Sequence, residues 1–224
     1  MRTLSLETST TDGSVALLDE QNVVWEAQLP RAQRTTQTFA ATIQAGLIAT
    51  AWAPADIELV AVTSGPGSFT GLRISVTAAK FYAYATGAAL VAVNTLDVLV
   101  EQLPADDTSA CAVMDAQRGQ FFAATYDRSS DGCWAVVRPC RVVSPQQLSE
   151  QLPSQTVLTG PGLTKFPVDL LPACPRSAPE LWTPRAAQVG RRALRDYQAG
   201  VRTDLWQLRP EYYRPSYAEE GGKR

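Results

Sequence analysis

The sequence predicts an α/β protein made of two similar halves. Three observations support this: short apolar or alternating segments typical of strands, helical patterns between them, and a similar order of elements later in the chain. The predicted halves cover residues 1–103 and 104–208, and a tail covers residues 209–224. Each half is large enough to bury a small core of its own.

In the first half, three predicted strands follow one another before any helix. Leu4 and Leu6 alternate with polar residues in the first strand. The expected strands of this half cover residues 2–9, 13–18, 23–28, 57–63 and 90–93, and the helices cover residues 36–52, 70–86 and 95–103. Pro54 ends the first helix, and Gly87 ends the second in the left-handed conformation common at helix ends.

The second half begins in a similar way. Its expected strands cover residues 110–114, 120–127, 133–143 and 156–158, and its helices cover residues 145–152 and 184–198. Residues 161–184 are too rich in proline for a long element, and the tail is expected to pack back onto the body. Three sequential strands can pair antiparallel, and helical crossovers make the later strands parallel to their neighbours. This order of elements is that of a ribonuclease H-like half.

Composition limits the chemistry that the chain can perform. The formal net charge is -2, which disfavours binding of nucleic acid by bulk electrostatics. The four cysteines form no C-x-x-C pair, and there is no histidine. These facts disfavour structural zinc and exclude Ser-His-Asp catalysis, Cys-His catalysis and histidine-ligated metals. No signal peptide or membrane-spanning run is evident, so we expect a cytoplasmic protein without membrane contact.

A glycine-rich loop between a strand and a helix is the most distinctive stretch, TSGPGSFTGLRISVTAAK at residues 63–80. Two structures fit its spacing: a phosphate cradle at a helix start, or a tight turn packed against a neighbouring layer. Ser68 or Thr70 can cap the helix, and neither the Walker pattern nor G-x-G-x-x-G is present. The motif comprises Gly65, Pro66, Gly67, Ser68, Phe69, Thr70, Gly71 and Arg73.

Two consecutive helices carry almost no charge. Residues 35–55 contain no Asp, Glu, Lys or Arg, and the next helix has only Arg73 and Lys80. A surface helix normally has a charged face, so we expect these helices to meet a partner protein or to pair closely within the chain. The residues assigned to a partner interface are Phe39, Ile43, Gly46, Leu72, Val76, Ala79, Lys80 and Ala83.

Glu7 and Asp115 end the first strands of the two halves. In a central cleft they could hold a divalent ion beside nucleotide phosphates, or each could cap its own turn through backbone amides. Candidates for a relic nucleotide cleft are Glu7, Thr8, Ser9 and Asp115.

An arginine cluster lies in and around the last predicted helix. It could contact an anionic partner or form a solvated face. Its members are Arg185, Arg191, Arg192, Arg195 and Arg202.

Five stretches resemble the TsaB family, also called YeaZ: LSLETST, VAVTSGPGSFTGLRISVTAAK, VNTLDVL, MDAQRGQFFAATY and RPEYYRP. The resemblance implies the actin/sugar-kinase/heat-shock-chaperone-like ATPase superfold, with two ribonuclease H-like halves. It also implies a role in threonylcarbamoyl transfer to adenosine 37 of tRNA. In that role the family member is a subunit without independent catalysis, which pairs with the catalytic TsaD through first-half helices and works with the ATPase TsaE.

The resemblance implies that ATP and Mg²⁺ act only through the complex, that tRNA is met indirectly, and that the chain pairs with itself when TsaD is absent. The metal site of TsaD rests on histidines, which this chain lacks. Relatives usually have Asp, Gly and Arg where this chain has Glu7, Ser75 and Gln117, and these departures weaken the case for nucleotide chemistry. The alternatives are an ATP-using or hydrolytic enzyme of the same superfold, as the family's former glycoprotease label suggests, and a homodimeric module with another partner.

Overall fold

A computed structural model describes residues 1–30, 35–170 and 173–214. Within these residues the chain forms nine β-strands and five α-helices, which fall into two compact units. Unit 1 comprises residues 1–98 and 184–210, and unit 2 comprises residues 99–183 with the described residues that follow 210. The helices are α1 (Thr35–Thr50), α2 (Phe69–Thr86), α3 (Thr95–Val100), α4 (Pro145–Gln151) and α5 (Ala186–Gln198).

Unit 1 is built on a five-stranded sheet with the order β3-β2-β1-β4-β5. Its strands are β1 (Arg2–Glu7), β2 (Ser14–Asp19), β3 (Asn22–Gln28), β4 (Leu59–Gly65) and β5 (Ala89–Asn94). The first three strands pair antiparallel, whereas β4 runs parallel to β1, and β5 to β4. Short turns give the antiparallel pairs and helical crossovers give the parallel ones, which confirms the predicted order.

Helices cover both faces of this sheet. Leu4 and Leu6 of β1 pack in the core beneath α1 and α2. Ser5 points to the opposite face because side chains alternate along a strand, and its hydroxyl donates to the carbonyl oxygen of Ala186 in α5 at 2.6 Å. The sheet is therefore the middle layer of three in this unit.

The position of α5 differs from the predicted halves. The prediction assigns residues 184–198 to the second half, but α5 packs on the sheet of unit 1, where Val189 is buried with Leu59. A Cβ on Gly190 would lie 2.5 Å from a δ-carbon of Leu18, so this close approach needs glycine. The helix returns to unit 1 because it covers a sheet face that would otherwise expose apolar residues to water.

Unit 2 contains a four-stranded sheet with the order β8-β7-β6-β9. Its strands are β6 (Ser109–Asp115), β7 (Phe121–Arg128), β8 (Trp134–Val143) and β9 (Val157–Thr159). Three strands again form an antiparallel meander, and β9 runs parallel to β6. Leu148 of α4 and Phe166 pack with Phe121 on one sheet face. The second unit therefore repeats the ribonuclease H-like order on a smaller scale.

The proline-rich segment forms no long element among its described residues. It contains short 3-10 turns at Pro161–Lys165, Val168–Leu170 and Pro179–Leu181, and residues 171 and 172 lie outside the described residues. Arg214 of the tail donates to the carbonyl oxygen of Ala116 at 2.6 Å, within unit 2. Residues 215–224 of the predicted tail also lie outside the described residues. Among the described helices, none has the length and apolar character that crossing a bilayer requires.

Candidate functional site

The glycine loop joins the end of β4 to the start of α2. Gly65 has a φ of 128°, so a side chain at this position would strain the backbone. The peptide bond from Gly65 to Pro66 is cis. Ser68, rather than Thr70, is the N-cap of α2, and its hydroxyl accepts a hydrogen bond from Gly71 N at 3.2 Å. The loop thus starts the helix by a local cap.

This loop packs directly on the residues that follow β1. Thr8 Oγ1 donates to the carbonyl oxygen of Gly71 at 2.7 Å, and Ser68 N donates to the carbonyl oxygen of Ser9 at 2.7 Å. A Cβ on Gly71 would lie 1.9 Å from the carbonyl oxygen of Thr8, and one on Gly67 would lie 2.5 Å from that of Ser9. The glycines therefore permit close backbone packing, as the tight-turn alternative requires.

A phosphate bound at this loop would need amide groups that point to free space. Ser9 N donates to Glu7 Oε1 at 2.6 Å, Ser68 N donates to Ser9, and Gly71 N donates to the Ser68 hydroxyl. The Thr8–Ser9 backbone also fills the space next to Gly67 and Gly71. These contacts favour the tight turn over the phosphate cradle.

Glu7 is fully buried at the end of β1. Its Oε1 accepts hydrogen bonds from the amide and the hydroxyl of Ser9, whereas Oε2 meets no described partner in hydrogen-bond geometry. Burial raises the pKa of Glu7 to about 7, although Ser9 and Thr63 act to lower it, and the charge of Asp12 adds to the rise. The Glu7 carboxyl group therefore titrates near neutral pH inside the fold.

Asp115 occupies the equivalent place at the end of β6 in unit 2. Its Oδ1 accepts a hydrogen bond from Gln117 N at 2.7 Å, and its Oδ2 lies 2.6 Å from the Lys165 ammonium group. Glu7 likewise accepts from the amide two residues ahead, so each carboxylate holds its own turn. Residues 1–30, 35–170 and 173–214 contain no group of three or more His, Cys, Asp or Glu suited to a metal ion. These geometries favour turn capping over ion binding.

Most residues assigned to the helix interface face the sheet. The buried ones are Phe39, Gly46, Leu72, Val76, Ala79 and Ala83. Gly46 lies under Trp25, whose ring would be 2.7 Å from a Cβ at that position. Ile43 is half-buried against the same core, and Lys80 Nζ donates to the carbonyl oxygen of Leu208 at 3.1 Å. The assignment is corrected, because the apolar stripe of the two helices is their core face.

The solvent side of α1 and α2 carries large apolar side chains, and we call it the helix-pair surface. Ile48 of α1 is 72% exposed, and Phe81 and Tyr84 of α2 are 73% and 68% exposed. The same two helices also carry exposed alanines: Ala40, Ala41, Ala45, Ala49 and Ala85. Toward the start of α2, the Arg73 guanidinium lies 3.8 Å from the centroid of the Phe69 ring. Exposed apolar surface is a feature of many sites that bind another molecule, so this is the candidate partner surface.

Ile48, Phe81 and Tyr84 are absent from the sequence-based prediction. Helical spacing groups Val76 and Ala79 into one stripe, but a stripe alone does not show whether it meets the core or a partner. The distinguishing signal lies on the opposite side of the helices, where charged residues are normal and this chain has aromatic residues and alanine. The candidate partner surface is the side opposite the stripe.

The arginines near α5 have partners within unit 1. Arg185 pairs with Glu26, and Arg191 Nε donates to the carbonyl oxygen of Gln21 at 3.1 Å. Arg192 lies 3.5 Å from Asp97 and 3.0 Å from Asp196, and Arg202 donates to the carbonyl oxygen of Tyr197 at 2.6 Å. These contacts favour the reading of a structural and solvated helix face over that of an anion-binding patch.

Residues 31–155 match the model of a protein family described as TsaD, tRNA N6-adenosine threonylcarbamoyltransferase. The chain is also 31% identical over 173 residues to the tRNA threonylcarbamoyladenosine biosynthesis protein TsaB of Escherichia coli K12. That alignment covers 75% of this chain and 74% of the relative. Sequence similarity therefore extends over both units.

Two solved structures extend the comparison to the fold. YeaZ from Pseudomonas aeruginosa superposes with a TM-score of 0.81 at 23% identity, covering 94% of this chain and 99% of that chain. The ROK hexokinase from Thermus thermophilus has a TM-score of 0.51 at 11% identity, covering 88% of this chain and 100% of that chain. The fold is that of the actin/sugar-kinase/heat-shock-chaperone-like superfold. By its family-model match and its E. coli relative, the chain belongs to the family that the TsaD model describes and, within it, to the TsaB (YeaZ) proteins of tRNA threonylcarbamoyladenosine biosynthesis.

Proposed function

We propose that this chain is a non-catalytic subunit for threonylcarbamoyl transfer to adenosine 37 of tRNA, and that it docks on the catalytic TsaD chain through the helix-pair surface. It works there with the ATPase TsaE in the cytoplasm and meets tRNA only through the complex. ATP and Mg²⁺ serve the complex, not this chain. Without TsaD, a second copy of the chain covers the same surface.

The observation that carries this proposal is the exposed and nearly uncharged side of α1 and α2, where Arg73 is the charged exception. Burying a side chain such as Ile48 or Phe81 contributes about 1.5–3 kcal/mol, so a partner that covers this surface gains substantial binding energy. The TsaD family model matches a segment that contains both helices. This supports a contact in which two related chains meet through equivalent helices.

Three features support a non-catalytic role. The 224 residues include no histidine, whereas the resemblance implies that the metal site of TsaD rests on histidines. Two amides of the glycine loop are engaged within the chain, because Ser68 N donates to the carbonyl oxygen of Ser9 and Gly71 N donates to the Ser68 hydroxyl. Asp115 pairs with Lys165 and holds its own turn.

Co-purification with the TsaD of the same organism tests the docking surface. Ile48→Glu and Phe81→Glu each place a charge on the helix-pair surface and should abolish recovery of TsaD. Val168→Glu is the matched control, because Val168 is 84% exposed but belongs to unit 2. The melting temperatures of all three variants should stay close to that of the wild type, since none of these side chains is buried.

An assay of modified tRNA tests the role itself. The reconstituted complex should form threonylcarbamoyladenosine with the wild type and with Val168→Glu, and form little with Ile48→Glu. Retained TsaD binding in both helix variants would place the contact elsewhere. Steady ATP or peptide hydrolysis by the purified chain, lost in Glu7→Gln or Asp115→Asn, would instead establish the enzyme alternative.

A further inference from the structure

The C-terminal strap, which we define as residues 203–208, is tied to its neighbours at both ends. Thr203 N donates to the carbonyl oxygen of Leu90 in β5 at 2.9 Å, and the Thr203 hydroxyl accepts a second β5 amide at 2.9 Å. At the other end, the carbonyl oxygen of Leu208 accepts a hydrogen bond from Lys80 Nζ of α2 at 3.1 Å. The strap is therefore fixed along the edge of unit 1 beside α2.

Within the strap, a turn directs one tryptophan away from the core. Asp204 Oδ1 accepts hydrogen bonds from Trp206 N at 2.7 Å and from Gln207 N at 3.2 Å. Leu205 and Leu208 pack into the core of unit 1, but Trp206 is 73% exposed. The strap thus buries its two leucines and leaves its largest apolar side chain in water.

Trp206 continues the helix-pair surface through Tyr84. Their ring centroids are 5.8 Å apart and the planes are inclined by 68°, which is an edge-to-face contact. Phe81 lies one helical turn before Tyr84, and α1 covers the same sheet face as α2. Trp206 therefore adds a fourth large exposed apolar side chain to Ile48, Phe81 and Tyr84, in direct contact with Tyr84.

We propose that Trp206 is an anchor residue for the TsaD chain, so that the partner contacts the strap as well as the two helices. This inference rests on the proposed function and adds a third element to its surface. Tryptophan is enriched among the few residues that dominate interface energies. Because the strap is already tied down by Thr203 and Lys80, binding does not have to order it.

An apolar protein face fits this surface better than RNA does. RNA binding needs cations placed for the phosphates, but the Lys80 ammonium group is engaged by Leu208, and Asp204 puts a carboxylate next to Trp206. Helix α1 adds no charged residue. The nearly uncharged surface therefore fits an apolar partner surface better than a phosphate backbone, and in this proposal the partner is the TsaD chain.

Isothermal titration with purified TsaD tests the anchor. Trp206→Ala should weaken binding by tenfold or more, and Asp204→Ala, which removes the acceptor of the turn, should weaken it less. Tyr212→Ala changes an exposed aromatic residue of unit 2 and should bind like the wild type. The melting temperature of Trp206→Ala should equal that of the wild type, because the side chain is exposed.

The outcomes separate this inference from the proposed function. If Trp206→Ala binds TsaD within twofold of the wild type while Ile48→Glu fails to bind, the strap lies outside the interface and only this inference is overturned. If both variants bind normally, both proposals fall. A loss confined to self-association in light scattering, or to tRNA in a filter assay, would assign Trp206 to a second copy or to RNA and overturn the inference.

Discussion

Thr8 and Gly71 join the end of β1 to the first turn of α2. The Thr8 hydroxyl donates to the Gly71 carbonyl oxygen at 2.7 Å, and the Thr8 carbonyl oxygen would lie 1.9 Å from a Cβ on Gly71. Since α2 carries Phe81 and Tyr84, this contact between a strand end and a helix start also sets the position of the helix-pair surface.

Gly71→Ala should destabilise unit 1 by about 3 kcal/mol, because the added methyl group forces β1 and α2 apart. Urea unfolding followed by circular dichroism measures the change. Thr77→Ala, on the exposed side of the same helix, should change the free energy of unfolding by less than about 0.5 kcal/mol. Equal free energies of unfolding for the Gly71 and Thr77 variants would show that the loop accommodates the added methyl group without loss of stability.

Glu7 should make stability depend on pH near neutrality. The pKa of Glu7 is raised from 4.5 to about 7 by burial, so the fold favours the protonated group. The contribution of Glu7 to the free energy of unfolding is therefore fully present below pH 4.5, the pKa of the unfolded state. It is lost as the pH rises through about 7, the pKa of the folded state. Glu7→Gln keeps a neutral acceptor for Ser9, so at pH 8 it should be more stable than the wild type by up to about 3 kcal/mol.

The difference between Glu7→Gln and the wild type should shrink toward pH 5, as measured by urea unfolding at both pH values. Glu150→Gln alters an exposed carboxylate of α4 and should follow the wild type at each pH. A difference between Glu7→Gln and the wild type that is the same at pH 5 and pH 8 would mean that Glu7 is not the titrating group.

Lys80→Met should loosen the strap, because the variant cannot donate to Leu208. Amide hydrogen exchange read by mass spectrometry should become several-fold faster in residues 203–208 than in the wild type. Lys165→Met removes an exposed lysine from unit 2 and is the control, with no expected change in the strap. Unchanged strap protection in Lys80→Met would show that Thr203, Leu205 and the leucine side chain of residue 208 hold the strap without the lysine.

Arg192→Ala should destabilise the protein by about 1–3 kcal/mol, since it leaves Asp97 and Asp196 without the cation between them. Arg191→Ala, in the same helix, removes a hydrogen bond to the Gln21 carbonyl oxygen at the surface and should cost less than about 1 kcal/mol. Thermal unfolding ranks the two variants. Tm values in the reverse order would contradict the structural role assigned to Arg192.

Sequence patterns predict the local elements of this fold well, because strands and helix ends are specified by neighbouring residues. Gly87 ends α2 with a φ of 74°, and Ser68 caps its start, as glycine and serine at those places indicate. The close packing of Gly71 on Thr8 is a contact between residues far apart in sequence. The spacing of the glycines in the sequence does not distinguish a loop that binds phosphate from a loop that packs against another part of the backbone.

Pairings between distant segments account for what sequence reasoning could not predict. Helix α5 has an apolar face, but nothing in residues 184–198 indicates which of two sheets it covers. The uncharged helices likewise indicate a partner without showing which side meets it. Only the burial of Val76 and Ala79, against the exposure of Phe81 and Tyr84, separates the core side from the partner side.

The return of α5 to the first sheet has a consequence for synthesis of the chain. Residues 99–183 must leave the ribosome before α5 can emerge, which takes roughly 4 to 17 seconds at ordinary translation rates. During that interval Leu18 and Leu59 line a sheet face that has no cover. Unit 1, whose first strand is translated before any other element, therefore cannot cover this sheet face until residues 99–183 have been translated.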